Sequence, residues 1–413
     1  MLYIFLAAVV LRTVIEETLA WVNFRYVTNP NNMSRAESAL QLTHESLKKA
    51  LAYYRDRFRM ARVTNAITTC IQLIFLCAGG FGIVDFAATM ATAQIGIPAG
   101  TIGVGLTVFG LLSALSGALS LPFEWYATFV IEARHGFNRQ TWKVFVIDRL
   151  KGAAVGAVLG GPLMALLIYL TEHYAASWWV LAWLALTGFS LIAVVLFPTV
   201  IAPLFNKFRP LDAKDLVDGI ASLALRSGFK SAGVYVMDAS KRSSHGNAYF
   251  TGLFGARRIV LFDTLVKTLS TNEALAVLAH ELGHFKLNHI RWQFIRGIAS
   301  TGITLWALFH IVSLPGSALA MGFLGNSPHA TLILAGLWAG LIGFPLSPLG
   351  SWISRRNEFA ADAYAREMMG ESKTLRAALL NMREESRGIP FAHPWYSGFY
   401  YSHPPLIERL QVL

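Results

Sequence analysis

The chain has 413 residues, of which 54% are hydrophobic and only 14% charged. Soluble globular domains carry about 25% charged residues, so this balance excludes an ordinary water-soluble enzyme and predicts a polytopic membrane protein. The net charge of +11 reads as the Lys/Arg excess that orients membrane helices rather than as a nucleic-acid surface, and Cys70 and Cys77, the only cysteines, imply neither a disulfide nor a thiolate metal site.

Residues 1–23 are mostly apolar but carry Arg12, Glu16 and Glu17. They are expected to form a first span whose charges face a protein interior, with an interfacial helix as the alternative. No small-residue cleavage site follows, so no cleavable signal peptide is expected. Residues 25–62 are polar, and AESALQLTHESLKKALAYYRDRF predicts an amphipathic helix on the membrane surface. Further spans are expected at 63–85, 98–121, 151–171, 178–201, 294–315 and 331–350, with polar segments at 122–150, 202–293 and 351–413. The connections at 86–97, 172–177 and 316–330 contain no Lys or Arg. The others hold nearly all of them. That alternation predicts seven spans, the N-terminus outside and the C-terminus in the cytoplasm.

The longest polar stretch opens with a predicted helix, LDAKDLVDGIASLALRSGF, and then a predicted strand, GVYVMDAS. AYFTGLFG and RRIVLFDTL extend this to two or three strands, a small α+β unit whose edge strand can accept an extended peptide. The same stretch ends in EALAVLAHELGHFKLNHIR at 273–291. Its Ala, Leu and Glu predict a helix, which puts His280 and His284 one turn apart on one face, within reach of a single metal ion. Glu281, beside the first histidine, is placed to take a proton from water. His289, five residues on, lies about 140° further around a continuous helix and is a poor ligand, with a solvated or interfacial role expected.

A hydrolytic zinc site needs a third protein ligand. Glu358 in RRNEFAADAYA is the candidate, with Asp362 on the same helix face accepting a ring N–H from a ligand histidine. The alternative is a solvated face on which both carboxylates pair with Arg355, Arg356 or Arg366. His403 and Arg409 in YSHPPLIERL are candidates to stabilise a tetrahedral oxyanion, against a turn residue and a surface pairing with Glu408.

The blocks EWYATFVIEARHGFN (124–138), APLFNKFRPL (202–211), SSHGNAYFTG (243–252), HELGH (280–284), NEFAADAYA (357–365) and SHPPLIERL (402–410) together resemble the integral-membrane CAAX prenyl proteases, type 1, zinc endopeptidases of the gluzincin class. The resemblance spans nearly the whole chain. It implies a mainly α fold, with seven transmembrane helices around a watered chamber and a small α+β metalloprotease domain closing it. The domains are then 1–201 (spans one to five), 202–293 (catalytic unit), 294–350 (spans six and seven) and 351–413 (the segment completing the site). It implies one Zn2+ per chain held by His280, His284 and Glu358, Glu281 as base and Asp362 behind a ligand histidine. His403 and Arg409 fall near the reacting carbonyl, and Asn247 and Ala248 on the substrate-holding strand. Gly246 stands where the family often has Ser.

The implied partners are a peptide or protein substrate, prenylated in eukaryotic members, and membrane lipid, with no nucleic acid. The short loops look more like bacterial members, which suggests a bacterial inner membrane and a broader peptidase role as an equal prospect. A heat-shock type membrane zinc protease is the nearest enzyme rival. A transporter or receptor with a vestigial metal site is the rival of another class.

Overall fold

Residues 1–229, 233–251 and 258–413 are described by the structure, a computed structural model. Six helices among them are long and apolar enough to cross a membrane: His44–Cys77, Ile102–Glu132, Trp142–His173, Trp178–Phe205, His289–Val312 and Pro328–Met369. Side chains such as Ile74, Val158 and Ile303 stay exposed on them, as lipid-facing residues do.

These six correspond in order to the second to seventh expected spans, with three differences in extent. The expected surface helix breaks at Gln41, which is left-handed (φ 53°), and restarts at His44 under a Thr43 cap. From there one 34-residue helix merges the surface segment with the second span, because no Gly or Pro interrupts it. It stops at Cys77 instead of running to 85: Gly79 takes φ +67° and a separate helix, Gly80–Gln94, begins. The third span continues through Pro122 and a π-helical turn, Ala127–Glu132. The last runs from Pro328 through a short 3-10 turn at Phe344–Leu346 to Met369, so one rod joins the membrane to the segment bearing Glu358.

The first helix, Leu2–Val27, is not among the six, since Arg12, Glu16, Glu17 and Arg25 interrupt its apolar run. One face of it packs against the bundle all the same, while Tyr3, Ile4, Leu11 and Val14 stay exposed. Phe5 is 1% exposed and meets Trp338 edge-on. Arg12 pairs with Glu16 along the helix at 3.0 Å, and Glu17 reaches the next helix, to Arg62 at 2.8 Å and Asn65 at 2.6 Å. Two cavities of about 640 and 490 Å³ lie between this helix, His44–Cys77 and the C-terminal helix Pro394–Tyr400, and share Ala20, Arg57, Ala61, Arg62 and Tyr396.

Among the described residues the soluble unit holds four strands, where two or three were expected: β1 (Phe208–Pro210), β2 (Val234–Met237), β3 (Ala248–Thr251) and β4 (Arg258–Phe262). Their order is β1-β2-β4-β3, with β2 and β4 parallel and the outer pairs antiparallel. The extra strand sits in APLFNKFRPL, where Pro210 is tolerated because β1 is an edge. The rest of the AYFTGLFG run, 252–257, lies outside the described residues. After β4 the DTL end of RRIVLFDTL turns into a short helix, Asp263–Thr268.

Against the sheet packs the helix Thr271–Lys286, opened by a capping box between Ser270 and Glu273. Leu278 and Leu282 on it, Ile259 and Leu261 on β4, and Leu223 on Lys214–Ser227 form one buried core. Ala361 and Ala365 of the last long helix close that core at 0% exposure. A Cβ on Gly283 would lie 3.1 Å from Ala361 Cα, so the glycine of HELGH sets how closely the two helices approach.

Candidate metal centre

The close contact at Gly283 places Glu358 over the histidine pair. Nε2 of His280 and Nε2 of His284 are 3.2 Å apart. The Glu358 carboxylate straddles them, Oε2 at 3.4 Å from His280 and Oε1 at 3.3 Å from His284. Donors on a tetrahedron with bonds of about 2.0–2.1 Å sit about 3.3 Å from one another. The imidazole pair already holds that edge length, and one donor atom from each of the three side chains lies within 4.8 Å of the others, close enough to share one metal ion. Buried Glu358 Oε2 has no hydrogen-bond partner, an acceptor that a bound cation satisfies. Two imidazoles and a carboxylate are the donor set of a catalytic rather than a structural site, because the fourth position is left to water or substrate.

The solvated-face alternative for Glu358 and Asp362 does not hold. Arg355 donates instead to the carbonyls of Ser397 and Tyr401, and Arg366 to that of Val412. Asp362 is 1% exposed and its Oδ1 lies 2.8 Å from His280 Nδ1. With Nε2 turned to the donor triangle, Nδ1 carries the proton and donates it to Asp362, which fixes the tautomer. Arg409 forks onto the same carboxylate, Nε at 2.9 Å from Oδ2 and Nη2 at 2.5 Å from Oδ1. Its Nη1 stands 3.8 Å from Glu358 Oε2. Burial alone lowers the His280 pKa, but the Asp362 and Glu358 carboxylates outweigh it and raise it to about 9 in the metal-free site.

His289 is the contact that helical spacing missed. Its Nδ1 is 3.0 Å from His284 Nδ1, so it serves His284 as Asp362 serves His280. The 140° separation assumes one continuous helix. The helix ends at Lys286, Asn288 turns left-handed (φ 57°), and His289 swings back as the next helix starts. The readable signal was Asn288, one of the few non-glycine types that tolerates that conformation.

Glu281 lies next to this cluster in sequence. Burial raises its carboxyl above the ordinary range, and the nearby His280 and His284 charges only partly offset that, which strengthens it as a base near neutral pH. His403 is largely exposed, with Nε2 3.4 Å from Glu358 Oε1. It therefore faces the open side of the cluster, whereas Arg409 is buried behind it. Glu408 is not the partner of Arg409.

Ala248 begins β3 and Asn247 immediately precedes it; the strand pairs on one side with β4 and on the other with no strand among the described residues. Phe262 N–H donates to the Asn247 carbonyl at 2.9 Å. Antiparallel bonds alternate, so Ala248 and Phe250 turn their backbone groups to the open edge. The Ala248 N–H is held by Asn247 Oδ1 at 2.8 Å.

A histidine–histidine–glutamate cluster with a half-buried carboxylate next to it in the chain, carried on a bundle of membrane helices, defines a membrane-embedded metallopeptidase. Two family models divide the chain: one described as CAAX prenyl protease N-terminal, five membrane helices, matches residues 23–207, and peptidase family M48 matches residues 210–413. The CAAX prenyl protease 1 homolog of Arabidopsis thaliana is 36% identical over 388 residues, 90% of this chain and 88% of its own. CAAX prenyl protease 1 of Saccharomyces cerevisiae is 33% identical over 395 residues, 90% and 86% of the two chains. The crystal structure of S. mikatae Ste24p superposes with a TM-score of 0.92 at 30% identity, covering 100% of this chain and 98% of that one. The chain belongs to peptidase family M48, in its CAAX prenyl protease 1 branch.

Proposed function

We propose that the chain is a zinc endopeptidase acting on peptides at the membrane, with C-terminal processing of prenylated, CAAX-type peptides as its substrate class. The observation that carries the reading is the cluster of His280, His284 and Glu358, with the two imidazole nitrogens 3.2 Å apart and a carboxylate oxygen 3.4 and 3.3 Å from each in turn, and Glu281 next to His280 in the chain. Zn2+, one per chain, suits two imidazoles and one carboxylate. When bound, it supplies a Lewis acid that lowers the pKa of a water toward neutrality and polarises a carbonyl.

The residues divide the remaining work. Glu281 takes the proton from the attacking water and hands it to the leaving amine. His403, exposed on the open side, donates to the carbonyl oxygen as charge develops there. Arg409 holds Asp362, Asp362 holds His280, and Arg409 also adds a positive charge beside Glu358. The substrate backbone adds to the open edge of β3 at Asn247 and Ala248, where Ala248 offers its carbonyl and Asn247 its side chain.

The proposed address is a bacterial inner membrane, with Leu2–Val27 as a seventh crossing, the N-terminus outside and the catalytic unit in the cytoplasm. Connections free of Lys and Arg on one side support that orientation, and short loops support the source. Lipid surrounds the bundle, and nucleic acid has no part.

The test compares a prenylated C-terminal peptide with its unprenylated twin on the purified protein in detergent. Tighter binding and faster cleavage of the prenylated peptide are expected. Equal rates would assign a broader membrane peptidase. No cleavage of either by protein carrying one zinc per chain would sink the peptidase reading.

A further inference from the structure

The cavity of about 490 Å³ between the first helix, His44–Cys77 and the C-terminal segment has an unusual wall. It is lined by three arginines (Arg57, Arg62 and Arg387), four tyrosines and His245, and by no Asp or Glu. The arginines are poorly satisfied. Arg57 makes one hydrogen bond, to Tyr53 Oη at 3.3 Å, and has no carboxylate in ion-pair range among the described residues. Arg387 lies over the Phe137 ring at 5.1 Å and likewise has no carboxylate partner there. Arg62 pairs with Glu17, but its buried Nε has no partner. Arg62 keeps Glu17, and Glu132 reaches Arg57 only by way of Tyr53, so Arg57 and Arg387 retain guanidinium donors turned to the cavity that an anion can take.

The cavity opens at the start of the edge strand. His245 is three residues before Ala248 and lines the wall. Phe137 stacks on His245 at 4.5 Å, which carries Arg387 to the same place. Glu132 lies 3.7 Å from His245 and 2.5 Å from Tyr53, the residue that holds Arg57. Two arginines thus flank the chain where it enters β3. A peptide added antiparallel to β3 runs its C-terminal end in that direction, and each extended residue advances about 3.3 Å.

We infer that this cavity binds the free α-carboxylate at the substrate's C-terminus, a few residues beyond the bond that is cut, with Arg57 and Arg387 as the pairing groups. The inference rests on the peptidase reading above and adds to it a reason for acting at chain ends. A carboxylate fits a planar guanidinium through two parallel bonds, and phenol hydroxyls complete its shell. An internal peptide segment brings no charge to neutralise the arginines.

The experiment uses full-length Glu281→Gln protein in detergent and two peptides that differ only in a C-terminal carboxylate or carboxamide. The carboxylate peptide is expected to bind roughly tenfold tighter or more. In Arg387→Gln and, separately, Arg57→Gln on the same background, the ratio between the two peptides is expected to collapse toward one. Equal binding of both peptides to the parent protein overturns the inference. So does an arginine variant that weakens both peptides by the same factor, which would make the arginines part of the chamber frame. Cleavage of the two peptides by the unsubstituted protein is scored in parallel. Cleavage without carboxylate preference removes this inference and leaves the peptidase reading standing, whereas cleavage of neither removes the peptidase reading.

Discussion

Asp362→Ala tests whether the buried carboxylate positions a metal ligand or only neutralises a charge. Asp362 accepts from His280 Nδ1 at 2.8 Å and carries the Arg409 fork. Loss of a group that orients a ligand histidine costs 10–100-fold in metal affinity, about 1.4–2.7 kcal/mol. The same change strands Arg409, 9% exposed, with Glu358 at 3.8 Å as its nearest remaining carboxylate among the described residues. An uncompensated buried charge costs about 3–5 kcal/mol of stability. The two effects separate in the double variant Asp362→Ala, Arg409→Met, which removes both charges. It should recover much of the lost stability and none of the lost metal affinity. Competition against a zinc chelator reads the affinity, and thermal unfolding in detergent reads the stability. A chelator midpoint for Asp362→Ala equal to that of the parent protein would refute the positioning role.

Three further outcomes follow from the same geometry. Glu281→Gln should keep about one zinc per chain and lose at least a hundredfold in peptide cleavage; normal turnover would remove Glu281 from proton transfer. His289→Ala should weaken zinc binding by about tenfold, because His284 loses its Nδ1 partner at 3.0 Å, and an unchanged chelator midpoint would show that contact to be incidental. Zinc capture should tighten about tenfold per pH unit from about pH 6.5 and level off near pH 9, where the metal-free His280 loses the proton that zinc must displace. The sign for folding is opposite: a raised histidine pKa stabilises the metal-free fold below about pH 6.5, and that contribution disappears as pH rises through about 9. A pH-independent zinc affinity would contradict the His280 assignment.

Much of this site is legible because its pieces are local. His280 and His284 share a face by helical period alone, and Glu358 and Asp362 do the same on the last helix. Six spans stand out because 18 or more apolar residues leave few other fates. What fails is what depends on breaks in the period or on partners distant in sequence. One left-handed Asn288 invalidates an angle computed for His289. Gln41 and Gly79 shift helix ends that hydropathy averages over. β1 is three residues long, too short to alternate visibly, and exists because β2 offers it an edge. The attachment of Arg409 to Asp362, rather than to Glu408 or solvent, is set by which helices meet at Gly283.

The rod from Pro328 to Met369 raises the question of which end governs the other. One alanine inserted after Gly350 turns everything beyond it by about 100° and advances it about 1.5 Å. A carboxylate about 5 Å from the axis would then swing by about 8 Å. Either Glu358 leaves the histidines or the membrane half rotates to compensate. The soluble end is held by Ala361 and Ala365 at 0% exposure, by the Gly283 contact, by the Arg409 fork and by the bonds of Arg355 to two carbonyls. The membrane end is tied to the first helix by the Phe5–Trp338 edge contact and by Arg12 donating to the Gly340 carbonyl at 3.3 Å. The stronger interlock should win, so the insertion is expected to keep about one zinc per chain. It should nevertheless lower peptide cleavage at least tenfold, because the chamber that delivers the substrate has turned relative to the zinc. Loss of zinc would show instead that the membrane frame holds Glu358 in place. Unchanged cleavage would reduce the rod to a tether and detach the chamber from catalysis.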